Sequence, residues 1–144
     1  MTDIGARGGR TQAARSYTSE ATTRGIKVEV ESTYLAGQSS PRDNHYLFAY
    51  HVRISNGGTE TAQLVSREWI ITSADGEVER VKGPGVVGET PVLPPGGAFE
   101  YTSYCPLKTT VGSMQGSYQM VTAGGERFDA QIAPFTLAVP NALN

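Results

Sequence analysis

The one run with the glycine spacing of a phosphate cradle is Gly83-Pro84-Gly85-Val86-Val87-Gly88, a match to G-x-G-x-x-G. In a dinucleotide-binding fold this motif ends a strand and opens a helix, whose first N–H groups and dipole hold the pyrophosphate. A strand pattern does precede it, at Glu77 to Lys82. The continuation, Glu89-Thr90-Pro91-Val92-Leu93-Pro94-Pro95, cannot be a helix. Pro94 and Pro95 would each remove an interior hydrogen bond, at about 3 kcal/mol apiece. Pro84 also takes one N–H out of the supposed cradle. With 17 glycines in 144 residues, chance alone supplies roughly 0.2 such matches, and the pattern is weak without its strand–turn–helix context. Gly83, Gly85 and Gly88 are therefore expected to build a structural turn. Anion binding by the loop N–H groups is the alternative.

Other chemistries find less. His45 and His51 are the only histidines. They are six residues apart on one face of one strand, so their Cα atoms stand about 20 Å apart, too far to share an ion. Asp43, Glu68 and Glu89 could hold a hard cation weakly, but no run has the ligand spacing of a calcium loop. Cys105 would be a nucleophile only beside a base. It ends an alternating apolar face and precedes Pro106, which suits a small buried hydrophobe. Neither a G-x-S-x-G elbow nor H-E-x-x-H occurs. The chain is expected not to be an enzyme and to carry no cofactor.

The elements that would hold these residues are strands. Ile26, Val28 and Val30 alternate with charged neighbours, and Tyr46, Phe48, Tyr50, Val52 and Ile54 form one face of a longer strand. Thr61 to Thr72 has apolar residues on both faces, as a central strand would. Residues 83–97 are so rich in Gly and Pro that they read as a loop. Phe99 to Cys105 alternates again, as does Met114 to Met120. Between Arg127 and Val139 the apolar phase switches from even to odd positions at Ala133-Pro134, predicting a bulge on an edge strand. Asn56-Gly57-Gly58, Asp75-Gly76 and Gly124-Gly125 supply the turns. The fold class is all-β: an immunoglobulin/fibronectin type III-like sandwich of about seven antiparallel strands, with a barrel as the lesser alternative.

Apolar residues make up 38% and charged residues 18% of the chain, and the net charge is −2. This is one domain with a real core and without the basic face that nucleic acid requires. No run is long and apolar enough for membrane insertion. Residues 1–24 carry Arg7, Arg10, Arg15 and Arg24 among small and polar residues, and read as a flexible N-terminal extension ahead of a domain at 25–144. A lone cysteine fits a reducing compartment.

Five segments, taken in one register, resemble the ApaG family, also called CorD in bacteria. They are Phe48–Ile54, Ser66–Ile71, Gly83–Gly96, Tyr101–Leu107 and Met114–Met120, and the likeness runs from about Ile26 to Leu137. Tyr104 departs from it, at a position where the family often has a small residue. The resemblance implies a fibronectin type III-like fold, a cytoplasmic bacterial protein, and a link to cobalt resistance and magnesium efflux. Bacterial genes of the family can neighbour that of a diadenosine tetraphosphate hydrolase. Eukaryotic relatives carry the domain in F-box and polymerase-interacting proteins, which implies protein binding. The expected function is a non-catalytic interaction module with a protein partner, a homodimer being one option. The alternative is a nucleotide, polyphosphate or divalent-cation binder using the 83–88 loop.

Overall fold

The structure, a computed structural model, describes residues 15–142. It is all-β, two antiparallel sheets packed face to face. One sheet has the order β1-β2-β3-β7, from Ser16–Thr23, Ile26–Tyr34, Tyr46–Asn56 and Ala98–Leu107. The other has the order β5-β4-β8-β9, from Val78–Pro84, Ala62–Ser73, Val111–Thr122 and Arg127–Ala138. A two-residue β6, Val92–Leu93, pairs with the start of β4.

The assignment of residues 1–24 to a flexible extension is corrected over its second half. Ser16–Thr23 form β1, in register with β2 from Ser16 opposite Thr33 to Thr23 opposite Ile26. Arg24 and Gly25, at φ of 50° and 84°, make the two-residue turn between them. The strand escapes an apolar-alternation test because none of its residues is fully buried. Its Thr and Tyr residues carry β propensity without hydrophobic contrast. The first half of that extension, residues 1–14, lies outside the described residues. β1 and β6 together also raise the strand count above the expected seven.

The core is built from the faces that alternation marks. Val28, Val52, Ile54 and Phe48 are at most 1% exposed, as are Met114, Tyr118 and Leu137 from the facing sheet. Trp69 is the centre of an aromatic cluster, 5.2 Å from Tyr50, 6.0 Å from Phe135 and 6.3 Å from Tyr118, all edge-on.

The predicted bulge is present. Met114 pairs with Phe135 and Gly116 with Ile132, so Ala133 and Pro134 together oppose Gln115. β9 is an edge strand, and hydroxyl groups from the other sheet close that edge. Ser19 donates to the Ala133 carbonyl at 2.9 Å, Ser32 to that of Thr136 at 2.6 Å, and the Gln131 N–H donates to Thr23 at 3.1 Å. On the opposite flank, where β5 and β7 end their sheets, the links between the sheets lie in the turns beyond the strands, where Lys108 pairs with Glu77 and the Ala74 N–H donates to Thr109 Oγ1.

Candidate functional site: the glycine loop

Gly83 and Pro84 close β5 rather than open a loop. The chain runs along the outer edge of β4 as far as Gly85, whose N–H donates to the Val65 carbonyl at 3.0 Å. It rejoins the same edge at Pro91, whose carbonyl accepts from Leu64 N–H at 3.0 Å, and continues as β6. Residues 86–90 are thus an excursion from one nearly continuous edge. It springs from the point where β4 itself has a bulge, between Leu64 and Ser66. Bulges recur beside functional sites because they re-aim side chains.

Reciprocal bonds between Val86 and Glu89, both 2.8 Å, close the excursion. Val87 and Gly88, at φ of 42° and 82°, make its two-residue tip. Each glycine has its own reason. A Cβ on Gly85, at φ 58°, would lie 2.3 Å from the Glu89 carbonyl oxygen, so the neck can close only over glycine. Gly88 supplies the positive φ of the tip. Gly83 leaves room for Arg67, whose guanidinium nitrogens lie 3.0 and 3.1 Å from where a Cβ would sit.

Arg67 is the residue that sequence patterns missed. Its Nη1 donates to the carbonyls of Pro84 and Gly85 at 2.9 and 2.8 Å, fastening the base of the loop. It faces the sheet interface, opposite the buried Tyr118, because the bulge at Val65 inverts the phase of β4. The available signal was that inversion: apolar Leu64 is even, while Trp69 and Ile71 are odd. Beyond Arg67, the buried phenols of Tyr101 and Tyr118 are hydrogen-bonded at 2.5 Å. Burial pushes both above the ordinary phenol range, and the nearby Arg67 charge acts weakly the other way.

The N–H groups of the motif are largely taken up inside the fold. Those of Gly85, Val86 and Glu89 donate to backbone carbonyls, and Pro84 has none. Only those of Val87 and Gly88 at the exposed tip have no partner among the described residues. The next element along the chain is β6, not a helix. The loop therefore offers solvent a valine side chain, 57% exposed, and two backbone donors.

The remaining candidates are not brought together. His45 lies just before β3, bridged to Ser40, whereas His51 is mid-strand between Thr102 Oγ1 at 2.9 Å and Glu100 Oε1 at 2.8 Å. Asp43, Glu68 and Glu89 lie on a 3-10 turn, on β4 and in the loop. Among the described residues no group of three or more His, Cys, Asp or Glu is placed to hold a metal ion. Cys105 is 3% exposed, and burial pushes its thiol up to about 12. No helix among the described residues is long and apolar enough to cross a membrane.

The ApaG domain matches residues 36–122. Protein ApaG of Anaeromyxobacter sp. (strain K) is 57% identical over 126 residues, which cover 88% of this chain and 99% of the relative. Protein ApaG of Rhodospirillum centenum is 56% identical over 119 residues, 83% of this chain and 92% of the relative. A Bordetella pertussis protein solved under the name ApaA superposes with a TM-score of 0.79 at 48% identity, covering 81% of this chain and 95% of that one. A domain match across the centre of the chain and relatives this similar over nearly their whole length leave one assignment: the chain belongs to the ApaG family.

Proposed function

We propose that the chain is a non-catalytic interaction module that affects cobalt resistance and magnesium efflux in the cytoplasm by binding a partner protein. The contact surface in this reading is the glycine loop and the open flank formed by β5 and β7. The observation that carries it is Val87. A β-branched residue at φ 42° is a backbone outlier, and here it is also exposed, so packing does not compensate the strain. The closed neck and the Arg67 fastening hold that side chain outward on a rigid tip, which is the geometry of an apolar anchor for another surface. An unpaired, buried Cys105 fits the reducing compartment that this reading requires.

The test is crosslinked capture from the native cell with the wild type and Val87→Asn as paired baits. Asn accepts positive φ, so the fold is retained while the apolar tip is removed. A specific partner held by the wild type and lost by the variant supports the reading. No reproducible partner, or one held equally by both, overturns it.

The unpartnered Val87 and Gly88 N–H groups favour a second reading, in which the tip binds a nucleotide or polyphosphate. Calorimetry with ATP, diadenosine tetraphosphate and pyrophosphate separates the two. Submillimolar binding lost in Gly85→Val would replace the first reading with the second.

A further inference from the structure

At one end of the sandwich several connections converge on a single buried side chain, that of Asn56, the last residue of β3. It is 2% exposed. Its Nδ2 donates to the carbonyls of Glu60 at 2.8 Å and Leu93 at 2.9 Å, and its Oδ1 accepts from the Gly58 N–H at 2.9 Å. Its backbone N–H donates to the Gly97 carbonyl at 2.9 Å, and its carbonyl accepts from the Gly96 N–H at 2.7 Å. One residue thus joins the β3–β4 connection, β6 and the turn into β7. The β1–β2 turn packs on the same corner. The Gly57 N–H donates to the Gly25 carbonyl at 2.8 Å, and a Cβ on Gly25 would lie 2.8 Å from Gly58.

Of the four asparagines in the chain, Asn56 is the one followed by glycine. That dipeptide is chemically labile, because a glycine nitrogen on an unhindered backbone reaches the asparagine Cγ readily. A bond forms between the Gly57 nitrogen and Cγ, the Cγ–Nδ2 bond breaks, and ammonia leaves carrying the proton of the Gly57 N–H. Water then opens the cyclic imide at one of its two carbonyls, leaving aspartate or its β-linked isomer. In sum, one water is consumed and one ammonia released. Folding blocks the first step from both sides, since Gly25 holds the Gly57 N–H and three hydrogen bonds hold the Asn56 amide. The product does not fit the corner it came from. An aspartate there has no N–H for the Glu60 and Leu93 carbonyls and would meet both of them oxygen to oxygen, away from water. The β-linked isomer adds a carbon to the main chain where it pairs with Gly97 and Gly25.

We propose that Asn56-Gly57 is a modification site kept silent by the fold, at which spontaneous hydrolysis of the Asn56 amide occurs only while this corner is open and then bars return to the native state. Time spent unfolded is thereby recorded as a permanent loss of foldable chain. Neither residue belongs to the glycine loop, so the outcome does not depend on how that loop is used.

The experiment holds the full chain in mildly alkaline guanidinium chloride for increasing times and then dilutes it to refold. Peptide mass spectrometry follows the exchange of the Asn56 amide for an acid. The expected result is a refolding yield that falls in step with that exchange, while chain kept folded at the same pH retains its amide. Gly57→Ala is the matched control. Gly57 is not at positive φ, and a Cβ there meets only the Gly25 carbonyl oxygen, at an ordinary 3.7 Å. The variant therefore keeps the Asn56 contacts but hinders attack by its own nitrogen. It should slow the exchange in denaturant by about tenfold or more and preserve the refolding yield. Exchange at equal rates in folded and unfolded chain overturns the proposal. So does a modified chain that refolds to the wild-type denaturation midpoint, or a Gly57→Ala chain that loses yield as fast as the wild type.

Discussion

Gly83 and Arg67 face each other across the β4–β5 ladder, and the guanidinium of Arg67 occupies the space in which a side chain on Gly83 would begin. Because Arg67 also bonds the two carbonyls after Gly83, one side chain ties the edge strand to the loop leaving it. A spacing that resembles a phosphate motif is thus satisfied by internal packing, and the three glycines have unequal duties.

Those duties predict a ranking. Gly85→Ala forces both a strained φ and a clash with the Glu89 carbonyl, and is expected to destabilise by roughly 2–4 kcal/mol in urea unfolding. Gly88→Ala meets nothing within 4 Å and should lose only about 1 kcal/mol, from its φ. Gly83→Ala displaces the far end of a flexible side chain and should lose about 1 kcal/mol of hydrogen bonding. Equal losses at 85 and 88 would show that the neck is not the tight point.

Val87→Asn is expected to stabilise the protein by about 1 kcal/mol, because Asn tolerates the left-handed region that costs a β-branched residue more. Thermal unfolding checks this. A lower Tm would mean that the Val87 side chain contributes packing that outweighs its backbone strain.

Tyr101→Phe leaves the Tyr118 hydroxyl, fully buried, without its partner, at about 1–3 kcal/mol. Adding Tyr118→Phe should restore much of that, so the double mutant cycle is non-additive. Both phenols are raised in the folded state, so the folded form holds their protons more tightly. Their contribution is full below the unfolded phenol value of about 10 and is lost as pH rises beyond it. Phenolate absorbance from these residues should appear only together with alkaline unfolding.

The Cys105 thiol should resist aromatic disulfide reagents in the native protein at pH 8, since its value is pushed up to about 12 by burial. Its labelling rate should rise with urea and track unfolding. Rapid native-state labelling would contradict the packing of β7 against the facing sheet.

Most of the fold was legible because period-two alternation reports burial directly, as at Tyr46 to Ile54. The phase change at Ala133-Pro134 even located a bulge. The same logic applied to Leu64 and Trp69 would have located the second bulge and turned Arg67 inward, but Arg67 is polar and so marks no phase by itself. β1 escaped for a related reason: Ser16–Thr23 line a sheet edge without burying any residue fully, and pairing with β2 rather than hydrophobic contrast defines the strand. The excursion at 86–90 depends on closure between Val86 and Glu89, which no spacing rule encodes.

The stitching of β9 by Ser19, Ser32 and Thr23 has a consequence for assembly. Growth of a filament by strand addition needs a molecule with two unlike sticky sides, so that each newcomer offers the next one a landing place. With one side sealed by hydroxyl groups, a newcomer that covers the β5 and β7 side terminates the process it begins.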